Sequence, residues 1–189
     1  MKEQLRSKEY EMIIDVNDAT DLSRFSEETF DIVLCMGPFY HLITSEMRMK
    51  CLKECQRVLK KDCLLALSYI NRYNMVPYIA TSDRDFIRKS FIEKVINTGV
   101  LVDGDEDCCW TTAYYSSPSE MELLAEELKI QVIEHFSPDG IAPLLRDHID
   151  ALNEEQFDAW CHYQYQVCRE PSILGQGNHG LIIYKKISS

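Results

Sequence analysis

Apolar positions in this chain switch repeatedly between a period near two and a helical period, and the switches mark out alternating strands and helices. Phe30-Asp31-Ile32-Val33-Leu34-Cys35 is a short apolar run opened by an acid, the kind of strand that a parallel sheet covers on both faces. Gly37-Pro38 breaks it. Thr44-Ser45-Glu46 then starts a helix whose stripe is Met47, Cys51, Leu52, Cys55, Val58 and Leu59. Lys60-Lys61 is placed at its C-terminus, where positive charge suits the macrodipole. Cys63 to Ile70 is the next strand, and the strand-helix-strand order predicts a right-handed parallel crossover.

The flanks follow the same alternation. Residues 1 to 9 read as the last turns of a helix, Tyr10 to Val16 as a strand, and Asn17 to Leu22 as a polar loop. Residues 72 to 98 are predicted helical, and Asp103-Gly104-Asp105-Glu106-Asp107 is read as a solvated acidic loop. Trp110 to Ser116 is extended, rich in Thr and Tyr. Ser117-Pro118-Ser119-Glu120 starts a helix with proline in its first turn and Met121, Leu124, Ala125 and Leu128 as its stripe. Ile130 to Phe136 alternates like a strand, residues 141 to 151 and 154 to 169 read as helices, and His179 to Ile187 closes as a strand. The fold class is therefore α/β, in one domain spanning residues 1–189, a length that can bury a sizeable core.

Charge narrows the partners. The net charge of -11 argues against a broad electrostatic grip on nucleic acid and mildly favours a small-molecule substrate. Met1 to Arg6 is polar where an export signal would be apolar, and no run approaches the ~18 apolar residues of a membrane span. Eight cysteines without an export signal point to reduced thiols and a cytoplasmic location. Cys51 and Cys55 share a helix face and Cys108 and Cys109 are adjacent, but neither pair is a C-x-x-C and no second pair stands at zinc-finger spacing. No metal ligand is assigned; most of these thiols read as small buried hydrophobes.

FDIVLCMGPFYHL, followed by a helix and then CLLALSYINR, resembles the later motifs of class I S-adenosylmethionine-dependent methyltransferases. NDATDLSRFSEETFDIVL fits the same family, as do YYSSPSEMELLAEELKIQVIEHFSPDG and the closing NHGLIIYKK, so the resemblance covers nearly the whole chain. It implies a Rossmann-like sheet in the order three-two-one-four-five-seven-six and S-adenosylmethionine as cofactor. It also implies that the chain is N-terminally truncated and lacks the first two strands and the glycine-rich cofactor loop. Residues 72–110 and 140–175 become helical insertions forming a lid or substrate side. The third strand would then sit ~14 Å from the fourth, leaving an edge that re-pairs, takes a second copy or partner chain, or stays unstable.

By the same resemblance, Asp18 would accept from the adenine amino group and the Ala19 N–H would donate to the ring, against an Asx turn in a polar loop. Cys35, Met36 and Gly37 would line the methionine and sulfonium side, and Tyr40 and His41 would face the reacting methyl. His41 could act as general base or be a helix-entry residue bonded to backbone. Arg72 and Tyr73 could shape the acceptor pocket or lie at the surface. His135, His148, His162 and His179 show no shared spacing, and Trp160, Tyr163 and Tyr165 read as one face of a helix used in packing. Gly175-Gln176-Gly177-Asn178-His179-Gly180 matches G-x-G-x-x-G, but a strand follows it where a helix should, so it reads as a loop before an edge strand. The expected activity is methyl transfer to a small molecule. The competing expectation is a non-catalytic remnant or subunit that binds a partner at its open sheet edge.

Overall fold

The structure, a computed structural model, describes residues 13–187. Its organising unit is the expected crossover. Phe30–Cys35 (β1) and Leu59–Asn71 (β2) pair in parallel, with Ile32 opposite Leu64 and Cys35 opposite Leu67. Ser45–Val58 (α1) joins them; the Thr44 side chain accepts from the Met47 N–H and satisfies one of the orphan donors of the first turn. The helix buries Cys51, Leu52, Cys55 and Val58.

Helix α1 passes into β2 without a loop, which corrects the placement of Lys60-Lys61 at a helix end. Phe30 already pairs with Leu59, and Lys60 reaches across to Asp31 at 2.8 Å. The ladder slips between Phe30 and Ile32, and Asp62 takes a positive φ of 61°. The extra residues form a bulge, so the lysines belong to the strand.

Two short strands, Val100–Leu101 (β3) and Ala113–Ser116 (β4), form an antiparallel pair. Gln131–Phe136 (β5) and His179–Lys185 (β6) complete the sheet. β6 runs antiparallel between β2 and β5, giving the order β1-β2-β6-β5. This is the four-five-seven-six portion of the expected order. β4 joins β2 at Ile70 and Asn71, past the point where β1 pairing ends at Leu67. β4 therefore stands beyond the carboxyl end of β1.

The remaining helices are Arg72–Ser82 (α2), Lys89–Asn97 (α3), Pro118–Leu128 (α4), Arg146–Asp150 (α5), Glu154–Val167 (α6) and Pro171–Leu174 (α7). α4 opens with a capping box between Ser117 and Glu120. One core cluster joins α1 and α4 to the sheet around Leu52, Leu67, Met121 and Tyr184; a second gathers Met75, Phe91, Val95 and Leu101. Arg72 links the two. Its buried guanidinium donates to Tyr115 O at 3.1 Å, to Ile96 O at 3.1 Å, and to both Glu120 oxygens at 2.8 and 2.7 Å. The residue is a structural clamp, not a surface group. Among the described residues no helix is long and apolar enough to cross a membrane.

The strand expected over Tyr10 to Val16 does not form over residues 13–16, which make no ladder; residues 10–12 lie outside the described ones. Ile13 and Val16 are exposed at 84% and 102%. The reason lies downstream. Glu54 accepts from the Leu22 N–H, while Arg57 donates to Leu22 O and Phe25 O, so the following loop is tied to α1 and not to the β1 edge.

The glycines near the C-terminus serve close packing. A Cβ on Gly180 would collide with the Tyr69 ring, and one on Gly177 with the Ser137 hydroxyl. The strand they lead into is interior, with β2 and β5 on its two sides, which corrects its reading as an edge. Gly180→Ala is expected to cost about 2 kcal/mol or more through overpacking. Gly175→Ala, whose Cβ would meet only Tyr73 at an ordinary 3.5 Å, should change stability far less. Urea midpoints of both variants check this; equal effects would contradict the packing role.

Candidate functional site

The carboxyl end of β1 is where a parallel sheet of this order offers a crevice. Cys35 ends the strand buried, Met36 is 46% exposed, and Gly37 turns the chain at φ 140°, a conformation that favours glycine. A Cβ there would find only the Tyr40 hydroxyl within 4 Å, at 3.7 Å. The chain then makes a short 3-10 turn, Pro38–His41, with Phe39 buried beneath it. Asp18 sits in the loop before β1. Its Oδ1 accepts from the Thr20 N–H at 2.8 Å, so the Asx turn is formed, and that backbone hydrogen bond holds its carboxyl below the usual range. Ala19 is half-buried and packs against the core cluster beneath the sheet.

Beneath this end lie three thiols. Cys35, Cys51 and Cys55 have sulfurs all within 4.8 Å of one another, and Cys35 and Cys51 are 4.0 Å apart. The neighbouring thiols stabilise a Cys35 thiolate by hydrogen bonding, which lowers its pKa and raises theirs. Helical spacing alone pairs Cys51 with Cys55; only the β1–α1 packing brings in Cys35.

His41 is exposed, and its Nδ1 lies 3.2 Å from Thr112 O. A carbonyl can only accept, so Nδ1 carries the proton and the neutral ring keeps its lone pair on Nε2. His41 is thus bonded to backbone, and that bond sets its tautomer. The Tyr40 and His41 rings are 4.9 Å apart.

His41 lines a cavity of about 240 Å³ between the ends of β2 and β4, together with Met75, Tyr78, Trp110, Tyr115 and His179. Tyr78 and Trp110 stack with centroids 6.0 Å apart and planes at 12°. His179 was not singled out by spacing. Asp139 orients it, accepting from the His179 N–H at 3.1 and 3.2 Å and from Nδ1 at 2.8 Å. Forty residues separate the two partners in sequence, so no local signal announces the pair. Larger hollows, of about 440 Å³ between α1 and α4 and about 590 Å³ beside α6, are not lined by His41, although Phe39 of the same turn lines the first.

The end of β1 thus presents a turn offering backbone and a thioether side chain, and beside it an aromatic cavity lined by two histidines. The chemistry that the cavity side offers is aromatic faces and the His41 Nε2 lone pair.

The family model of the methyltransferase domain matches residues 1–67. The fold is similar to that of a S-adenosylmethionine-dependent methyltransferase from Methanosarcina mazei (TM-score 0.55, 15% identity, covering 93% of this chain and 67% of that one). It is also similar to the PH0226 protein from Pyrococcus horikoshii OT3 (0.53, 17%, 98% and 64%) and to a S-adenosylmethionine-dependent methyltransferase from Archaeoglobus fulgidus (0.51, 14%, 92% and 66%). The chain spans about two thirds of the length of these solved structures. No curated protein matches it.

Removing the carboxylate that orients His179 should loosen the start of β6. Asp139→Ala is expected to lower stability by about 1–2 kcal/mol, the scale of hydrogen bonds lost to a half-buried partner. Chemical denaturation measures it, and an unchanged midpoint would mean that the pair is not formed in solution.

Proposed function

We propose, from the match of the methyltransferase-domain model to residues 1–67 and from the fold, that the chain is a class I S-adenosylmethionine-dependent methyltransferase and transfers a methyl group from S-adenosylmethionine to a small-molecule acceptor. The observation that carries the reading is the adjacency of the β1 turn to the cavity that His41 lines. Asp18, Ala19, Cys35, Met36 and Gly37 hold the cofactor in this proposal. They fit it in kind: an ionised carboxylate as acceptor for an amino group, apolar side chains at Ala19 and Met36, and a left-handed glycine that leaves the turn open. Among the described residues none supplies a glycine-rich loop between a strand and a helix, so this chain alone should grip the ribose and amino-acid portions weakly.

When bound, S-adenosylmethionine would supply an electrophilic sulfonium methyl, whose carbon would bond to the acceptor's lone pair as the carbon–sulfur bond breaks in line and its electron pair leaves with the sulfur. His41 Nε2 takes the acceptor's proton, Tyr40 packs beside it, and Tyr78 and Trp110 hold the acceptor's flat face. Positioning is the main contribution, since such a displacement needs contact distance and alignment. In this proposal residues 72–110, which supply Met75, Tyr78 and Trp110, form the lid or substrate side, and residues 140–175 back them through Pro143 to His148 beside Tyr78.

A second reading rests on the outer edge of β1, which pairs with no strand other than β2 among the described residues. Ile32 and Leu34 are 61% and 65% exposed on one face of that strand, and Leu64 beside them is 37% exposed. A non-catalytic chain that docks a partner there would use this face.

Irradiation with methyl-labelled S-adenosylmethionine tests the first reading even at weak affinity. Label should attach at residues 18–19 or 35–41; attachment around Gly175–Gly180 would overturn it. His41→Ala should leave that labelling intact and reduce methyl transfer to extracted small molecules by about 10²- to 10⁴-fold. For the second reading, Ile32→Glu with Leu34→Glu should abolish self-association in sedimentation; a wild-type chain that stays monomeric at all concentrations removes that reading for copies of this chain.

A further inference from the structure

The three-sulfur cluster beneath β1 is independent of the methyltransferase reading. Cys35 comes from the last residue of a strand, and Cys51 and Cys55 come from successive turns of one helix face. Their exposures are 4%, 0% and 5%. We propose that Cys35, Cys51 and Cys55 form a three-thiolate site for one divalent d10 cation of the zinc class.

Distance is the first argument. A tetrahedral zinc with bonds of about 2.3 Å to sulfur holds its sulfurs about 3.8 Å apart. Cys35 and Cys51 already stand at 4.0 Å, and all three pairs lie within 4.8 Å, so side-chain adjustments of less than about 1 Å close the site. Ordinary core packing needs no such convergence of three sulfurs from two elements.

Softness and charge select the ion. Three thiolates exclude the hard cations, which prefer oxygen, and favour soft or borderline metals. A divalent ion leaves the cluster at one net negative charge in a dry setting, whereas a monovalent ion would leave two. Among the described residues no histidine, carboxylate or further cysteine joins the three, so the fourth position falls to an outside ligand. Three protein ligands and an open place is the coordination of exchangeable or reactive zinc. Each sulfur that bonds the metal gives up its S–H proton to solvent, so binding releases up to three protons. The metal would pin the β1 terminus to α1, directly under the Met36-Gly37 turn.

The test uses the reduced full chain, freed of metal by a chelator, with Zn²⁺ and Cd²⁺ as probes. One ion per chain should bind. Cd²⁺ should produce the ultraviolet thiolate-to-metal charge-transfer band, and calorimetry in buffers of different ionisation enthalpy should show proton release. Cys35→Ser, Cys51→Ser and Cys55→Ser should each weaken Zn²⁺ binding by about 100-fold or more, while Cys161→Ser leaves it unchanged. Since a buried serine could unfold the chain, the wild type carries its own control: Zn²⁺ should raise its melting temperature and Mg²⁺ should not. Absence of Zn²⁺ uptake by the folded wild type overturns the proposal. So does a Cd²⁺ band that survives in a folded Cys35→Ser/Cys51→Ser chain, or one lost in Cys161→Ser.

Discussion

The parallel ladder between β1 and β2 is the constraint from which the rest of the described structure follows. It fixes Cys35 opposite Leu67 and so decides where β1 stops. Because β2 continues for four residues past that rung, it has free ladder positions at Ile70 and Asn71, and β4 takes them. A strand lying beyond the end of β1 then faces the 3-10 turn, which places Thr112 within reach of His41. The aromatic cavity is a product of unequal strand lengths. Arg72, the first residue after β2, makes the arrangement rigid by bonding α3, β4 and α4 at once, and its burial makes every one of those bonds costly to lose.

The ordering of the molecule was legible because most elements announce themselves by period and by cap. Thr44 and Ser117 both act as N-caps where the sequence puts helix starts. The misread points, among them the reading of β6 as an edge, have a common physical origin in pairing, which local pattern does not contain. Lys60-Lys61 resembles a helix end until Phe30 pairs with Leu59, and residues 13–16 resemble a strand until the loop behind them is tied to α1. Resemblance and periodicity agree on the strands from Phe30 onward because both record buried apolar rungs.

The site was legible only in part, for a different reason. Gly37 and His41 sit in a local turn, so a break in the pattern finds them. His179 and Asp139 meet across a loop, and Cys35 meets Cys51 across a crossover; neither contact leaves a spacing. The sequence G-x-G-x-x-G pulled the other way. Two of its three glycines, Gly180 and Gly177, are required by Tyr69 and Ser137, side chains that approach from elsewhere in the fold. A motif borrowed from phosphate chemistry can thus arise from packing alone, and strand context was the signal that told the two apart.

The two faces of β1 bear on how these readings fit together. Val33 and Cys35 point to the face that α1 covers, while Ile32 and Leu34 point to the face left open. A parallel strand with one bare apolar face is not a finished interior, since each exposed leucine or isoleucine forgoes roughly 1.5–3 kcal/mol of burial. The covered face holds three thiols in contact, and the strand ends in the turn proposed to meet the cofactor. Anything that seats on the bare face, or ties the sulfurs on the covered one, therefore acts on the same six residues and on the position of Met36 and Gly37. β1 is consequently the element through which cofactor affinity, metal and partner would be thermodynamically linked, because a ligand that favours one setting of the strand end helps every ligand that prefers that setting and opposes every ligand that prefers another.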